Sequence, residues 1–375
     1  MDTADPQRGH PRGRLSENSP PRPADHRRAG IKHRRASAAS AGLRYVTDDQ
    51  GGITRKRVGT GWAYYLPDGL RITDRRERKR INSLAIPPAW TQVWICLDPD
   101  GHIQATARDA RGRKQYRYHP AYRDARDHSK FRHMLEFSEV LPLLRDRIEH
   151  DLRAPDHSRR QLLATVVRLL DRTLIRVGND EYARENKSFG LTTLRRRHVR
   201  VNGESLSFTF RGKSGVEHSI TLEEPRLARI IQRCQELPGQ EIFQFIDAAG
   251  KRQAITSDDV NERLREITGR DVTAKDFRTW GGTMHAAIAL ASMGVGASRT
   301  ETDCNIIAAI DTVCQRLGNT RAVCRKYYVH PALIQAYLMG EIAPEPPTLR
   351  RTREKRGAAL RRDEVVVLQF LQDRV

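Results

Sequence analysis

The chain lacks most of what would anchor it, staple it or supply it with a reagent. No apolar run in its 375 residues approaches the ~20 needed to span a membrane, and its first residues have no apolar core of the kind a signal peptide carries. Residence in the cytoplasm is expected, on the nucleoid if the cell is bacterial. The five cysteines, Cys96, Cys234, Cys304, Cys314 and Cys324, are an odd set without a C-x-x-C pair. That argues against a disulfide framework or a zinc site and for a reducing compartment. No G-x-x-x-x-G-K-[ST] loop is present, so ATP is not implied. Asp98-Pro99-Asp100-Gly101 reads as a turn, and neither a metal nor any other cofactor is implied. No internal repeat is visible.

Positive charge is what the chain has in excess. It carries 67 Lys+Arg against 46 Asp+Glu, a formal net charge of +21. Such a charge calls for a polyanionic partner, because phosphate binding releases condensed counterions. Nucleic acid is the first candidate and an anionic membrane surface the second. At ~150 residues per domain the length predicts two or so domains.

Residues 1–40 hold five prolines, no aromatic residue, and nine basic against four acidic side chains. They cannot bury enough apolar surface to offset chain entropy. A disordered basic arm is predicted there, either a plain solvated tail or a DNA tether. Residues 41–119 read as a small β-rich domain. Strands are predicted at 61–66, 93–97 and 103–107 from aromatic and β-branched content. A short charged helix is predicted over 74–84, ended by Ile86-Pro87-Pro88-Ala89-Trp90. Residues 120–343 read as a larger, mainly helical domain. Apolar residues recur at helical spacing over 131–151, with a break expected at Pro142, and again over 161–175. A β-hairpin insert follows, turning at Asn202-Gly203 and again at Gly212-Lys213-Ser214-Gly215. Helices are predicted over 224–235, 257–267, 276–293 and 305–317, with Thr273 and Asp276 as a capping box. Residues 344–375 read as a basic tail: a mobile linker to 362, then a possible short amphipathic helix over 363–372. The fold class is therefore α+β.

Five residues carry the chemistry. Tyr328 lies in Ala322-Val323-Cys324-Arg325-Lys326-Tyr327-Tyr328-Val329-His330-Pro331. A phenol can attack a phosphodiester if cations neutralise the phosphate oxygens and another group protonates the leaving oxygen. Arg176, in Leu174-Ile175-Arg176-Val177-Gly178-Asn179, is either a solvated helix-terminal arginine or a phosphate clamp, whose planar fork holds two oxygens at once. Lys213 sits between glycines in a turn. It is a solubility residue or, since a lysine pKa falls readily in a cationic site, a general acid. Arg278, in Lys275-Asp276-Phe277-Arg278-Thr279-Trp280, is a second clamp or a partner for Asp276. Asn319 can donate a hydrogen bond to phosphate but cannot be an acid. His218 and His285 remain alternative acids, and Tyr327 an alternative nucleophile. In the small domain, Arg113, Lys114, Gln115, Tyr116 and Tyr118 interleave aromatics with charge. They form an ordinary solvated strand or loop, or a DNA contact with Gln115 reading an adenine edge.

These segments, in this order, resemble the type IB DNA topoisomerases in their short poxvirus-like and bacterial form, over about residues 42–340. The resemblance implies that Tyr328, Arg176, Lys213, Arg278 and Asn319 are the catalytic set and that Tyr182 contacts phosphate. It implies a catalytic core shared with tyrosine recombinases, a cofactor-free 3′-phosphotyrosyl mechanism, and a monomer clamping double-stranded DNA. Three positions depart from the pattern. Asn319 stands where the poxvirus branch has histidine, although bacterial members carry asparagine. Arg321 replaces a more usual proline, and Tyr327 a small residue. A tyrosine recombinase is the first alternative; Lys275, where recombinases usually have histidine, and the Ile86–Trp90 segment speak against it. A non-catalytic architectural DNA-binding protein is the second.

Overall fold

A computed structural model describes residues 35–247, 249–342 and 360–374 of the chain, with the side chains of 127 and 128 left aside. The expected arm at 1–34 and most of the expected linker, 343–359, lie outside the described residues. The chain divides into two compact units, 1–129 and 130–375.

The first unit is built on one antiparallel sheet of order β2-β1-β3-β4-β5. Its strands are β1 (Ile53–Val58), β2 (Gly61–Tyr65), β3 (Thr91–Ile95), β4 (Ile103–Arg108) and β5 (Lys114–Tyr118). Ile53, Tyr64, Ile95 and Ala105 bury against Ile81, the one buried residue of helix α1 (Arg75–Ser83). Asp74 caps that helix, its carboxylate accepting from the Glu77 N–H at 2.7 Å. So charged a helix has little apolar face, and polar bonds hold it as well. Arg80 donates to Gln104 at 2.7 Å and to the Cys96 carbonyl at 2.8 Å. The proline segment after α1 is tied down by Arg55, which donates to the carbonyls of Ile86, Pro87 and Trp90. β1 escapes a sequence reading because Thr54-Arg55-Lys56-Arg57 shows no apolar alternation; pairing on both sides makes it a strand. Residues 35–40, expected as the end of the arm, are helical with Ala38 fully buried.

Helix α2 (Pro120–Asp151) spans the division between the two compact units at 129/130. Its first turn stays with the sheet because Tyr122 packs on His102 and Tyr118, ring centroids 4.8 and 5.5 Å apart. The break expected at Pro142 does not occur: α2 runs through it. A mid-helix proline costs about 3 kcal/mol. Burial of Met134, Phe137, Leu141, Leu144 and Ile148 along one face outweighs that.

The second unit is mainly helical. At its centre is α3 (Arg159–Thr173), whose Leu162, Val166, Leu169 and Leu170 are fully buried. A short helix, α4 (Asp180–Asn186), follows. The predicted hairpin is a three-stranded meander of β6 (Val199–Asn202), β7 (Ser205–Arg211) and β8 (Glu217–Glu223). Its first turn uses Gly203 at φ 58°, where glycine pays no steric penalty. Next come α5 (Pro225–Glu236), a ribbon of β9 (Gln244–Ile246) and β10 (Arg252–Ala254), and α6 (Ser257–Thr268). Then follow α7 (Ala274–Met293), α8 (Arg299–Leu317), α9 (Arg321–Tyr327), α10 (Pro331–Leu338) and α11 (Arg362–Gln372). The Thr273–Asp276 box opens α7 as expected, with the Thr273 N–H donating to Asp276 at 2.8 Å. α8 starts earlier than predicted because Ser298 caps it. α11 is not a tail. Val367, Phe370 and Leu371 lie in the core of the unit, and buried Glu364 accepts from Arg145 on α2 at 2.6 and 2.8 Å and from the Trp280 indole on α7 at 3.1 Å.

Candidate active site

Four of the five residues singled out from the sequence line one cleft of about 300 Å³: Arg176, Lys213, Arg278 and Tyr328. Tyr182, Asn179 and Lys275 line it too. The fifth, Asn319, reaches it by accepting a hydrogen bond from the Arg176 guanidinium. They come from separate elements. Arg176 follows α3, where Leu174 leaves the helix at φ 55°. Lys213 sits at the β7–β8 turn, Arg278 one turn into α7, Asn319 after α8, and Tyr328 at the end of α9.

Close packing of backbone brings them together. Gly178 and Gly190 lie so close that a Cβ on Gly190 would stand 2.6 Å from the Gly178 backbone and from the Arg176 carbonyl. His218 wedges between Gly212, beside Lys213, and Gly318, beside Asn319. Its ring stacks on Phe210 at 5.0 Å.

Arg278 is only 3% exposed. Its two terminal nitrogens donate to main-chain carbonyls, those of Leu174 and, at 2.8 Å, Leu317. Its guanidinium lies 5.3 Å from the centroid of the Tyr328 ring. Burial and then the neighbouring Arg176 pull its pKa down to about 10, so it remains a cation at neutral pH. Burial also lowers Arg176. Among the described residues neither arginine has a carboxylate partner, and two buried donor atoms, Arg278 Nε and Asn319 Nδ2, have no acceptor. One buried and one half-buried cation without a carboxylate, together with two idle donors, make a site for an anion.

The alternative roles fare differently. Burial, with Arg176 and Arg278 adding to it, lowers the His218 pKa, so the ring is neutral and a poor proton donor. His285 lines a different cavity with Trp280 and Arg316, and burial brings it down to about 4. Tyr327 is 39% exposed and absent from the cleft lining. Its carbonyl accepts from Lys130, whose ammonium also sits 5.6 Å from the Tyr328 ring centroid. Asp276 does not pair with Arg278; it caps α7 and faces His133 at 3.5 Å. Lys130, Asn179 and Lys275 were not singled out as site residues, because nothing in their local sequence separates them from ordinary surface polar residues.

In the first unit, strand alternation splits the expected DNA-contact group. Lys114, Tyr116 and Tyr118 lie on one side of β5, with the two tyrosine rings stacked 5.8 Å apart. Gln115 lies on the other and donates to Asp109 at 2.9 Å. Arg113 pairs with Asp109 at 2.7 Å and Lys114 with Asp48 at 2.6 Å. The hydrogen bond from Arg113 brings Asp109 down to about 2, so that carboxylate is ionised at neutral pH.

Comparison with known proteins agrees with this architecture. The family described as eukaryotic DNA topoisomerase I, catalytic core, matches residues 119–342, and that of the bacterial DNA topoisomerase IB N-terminal domain matches 61–109. A DNA topoisomerase 1B of Acanthamoeba polyphaga mimivirus is 32% identical over 293 residues, 76% of this chain and 87% of the relative. The DNA topoisomerase I of Monkeypox virus and the DNA topoisomerase 1B of Vaccinia virus (strain Copenhagen) are each 23% identical over 174 residues, 46% of this chain and 52% of theirs. Fold and likeness together define a DNA topoisomerase, an isomerase acting on DNA. Within that class the chain belongs to the type IB family. The recombinase and architectural alternatives are not favoured. Among the described residues no helix is long and apolar enough to cross a membrane.

Proposed function

We propose that Tyr328 is the nucleophile of this topoisomerase and that Arg176, Arg278, Lys213 and Asn319 complete its catalytic set. The phenol oxygen bonds to a backbone phosphorus as the bond to the 5′-oxygen breaks, leaving a 3′-phosphotyrosyl enzyme and a free 5′-hydroxyl. Arg176 and Arg278 neutralise the non-bridging oxygens, with Asn319 adding a hydrogen bond. Lys213 gives its proton to the departing oxygen. Phosphodiester energy is retained in the covalent link. The free end rotates, supercoils relax, and the 5′-hydroxyl attacks in reverse without ATP or metal. The substrate is duplex DNA, held by a monomer that clamps it, with Tyr182 on a phosphate of the cleft and with Arg113, Lys114, Gln115, Tyr116 and Tyr118 on the duplex from the first unit.

One observation carries this reading: Tyr328 opens onto a cleft whose two arginines, Arg278 buried and Arg176 half-buried, have no carboxylate partner among the described residues, with donor atoms left idle. The test is peptide mapping of the trapped DNA adduct together with Tyr328→Phe and Tyr327→Phe proteins. DNA is expected on Tyr328, with relaxation lost in Tyr328→Phe and largely kept in Tyr327→Phe. An adduct on Tyr327, or an active Tyr328→Phe enzyme, overturns it.

A further inference from the structure

Helix α7 carries more than Arg278. Three residues further along its chain, Gly281-Gly282-Thr283 form a pocket for main chain rather than for substrate. Two glycines in mid-helix are unfavourable by roughly 1 kcal/mol each relative to alanine, so their contacts need a reason. A Cβ on Gly281 would stand 2.6 Å from the Leu174 side chain, whose own carbonyl holds Arg278. A Cβ on Gly282 would stand 2.5 Å from the Tyr328 carbonyl oxygen and 3.0 Å from the Tyr328 Cβ. The bare Gly282 surface thus lets the Tyr328 backbone lie against α7.

Thr283 then fastens it. Its hydroxyl is fully buried. It accepts from the His330 N–H at 3.1 Å and donates to the Tyr328 carbonyl at 3.3 Å. The Met134 sulfur lies at 3.4 Å, but a thioether is the weaker acceptor. On the other side, the Tyr328 N–H donates to the Cys324 carbonyl at 2.9 Å. We infer that Thr283 is a positioning residue: with Gly282, it fixes the Tyr328 phenol relative to Arg278 by binding the main chain on both sides of Val329 to the helix that carries the arginine. The inference rests on Tyr328 being the nucleophile. Misplacing a reacting group by about 1 Å can cost 10²-fold in rate, and Thr283 itself is fully buried.

Thr283→Val keeps the shape and removes the hydroxyl. Single-turnover cleavage and religation of a nicked-site duplex are expected to slow together by about 10–100-fold. Noncovalent affinity, measured in parallel, stays within about threefold. Thr283→Ser keeps the hydroxyl and recovers most of the rate, which a merely space-filling role would not do. Gly282→Ala, which pushes on the Tyr328 carbonyl, should reproduce the slowing if the valine protein folds poorly. Val cleaving at the wild-type rate, or Ser no better than Val, overturns the inference. Tyr328→Phe run alongside separates the two ideas: if it is dead while Thr283→Val is normal, only the positioning role falls; if it is active, the nucleophile assignment falls.

Discussion

Arg278 donates through its two terminal nitrogens to the carbonyls of Leu174 and Leu317, which fixes the plane of its guanidinium beside the Tyr328 ring. A lysine has one nitrogen and no plane, so it cannot hold two carbonyls and face a third oxygen in fixed geometry. Arg278→Lys should therefore slow cleavage nearly as much as Arg278→Ala, by about 10²–10⁴-fold in single-turnover assays. A lysine enzyme within about threefold of wild type would show that charge alone suffices. Lys213 is separable by chemistry. A DNA with sulfur at the 5′-bridging position has a leaving group that needs little protonation, so Lys213→Ala should be rescued on it and Arg278→Ala should not. Equal failure of both counts against the proton-donor role. At this scale side-chain types alone left each candidate with an ordinary structural reading; the resemblance of the local strings singled out five residues, and the structure brings four of them to one cleft, with Asn319 bonded to Arg176. What was not legible was main-chain work. Nothing in Thr283 announces that its hydroxyl binds the backbone on either side of Val329, and only the Gly281-Gly282 pair inside a helix hints at a close approach.

Helices were legible where apolar spacing and caps agreed, as at Thr273–Asp276. They were misread where packing overrode local preference. Pro142 does not break α2; the helix expected over 363–372 is present as α11, but Glu364, which looks like a surface acid in sequence, is buried against Arg145. Glu364→Ala leaves Arg145 paired with Asp171 alone and the Trp280 indole without its acceptor, and should destabilise the second unit by about 1–3 kcal/mol in denaturant unfolding. A change under about 1 kcal/mol would mean the α11 packing is dispensable. The start of α7 should depend on pH. The Asp276 carboxylate, accepting from His133 and helped by Glu136, raises His133 from 6.5 to about 9. Because the folded value lies above the unfolded one, its contribution is full below about pH 6.5 and fades as pH rises through 9. Wild-type stability should fall across that window more steeply than that of His133→Ala; parallel curves would refute the pairing.

For the molecule as a whole, charge excess pointed to a polyanion, and no positional detail was needed to see it. The division inside α2 was hidden because a helix that passes from one unit to the next shows no change of pattern. With +21 formal charges, binding to non-specific duplex should weaken by about 10³–10⁵-fold between 50 and 200 mM salt if six to ten phosphates are engaged. Relaxation of positive and negative supercoils should proceed in EDTA without nucleotide; an absolute need for Mg²⁺ or ATP would contradict the proposed chemistry. The pairing of Arg145 with Glu364 also bears on how the enzyme is born. These partners are 219 residues apart, so at about 5–20 residues per second the ribosome delivers Glu364 roughly ten to forty seconds after Arg145. Throughout that interval Arg145 has Asp171, 2.9 Å away, as its carboxylate partner but not yet Glu364, and the Trp280 indole, two residues beyond Arg278, has not yet met the same glutamate. Tyr328, the proposed nucleophile, is synthesised before the glutamate as well. A newly made chain therefore carries that tyrosine before Glu364 can bind the helix that holds Arg278.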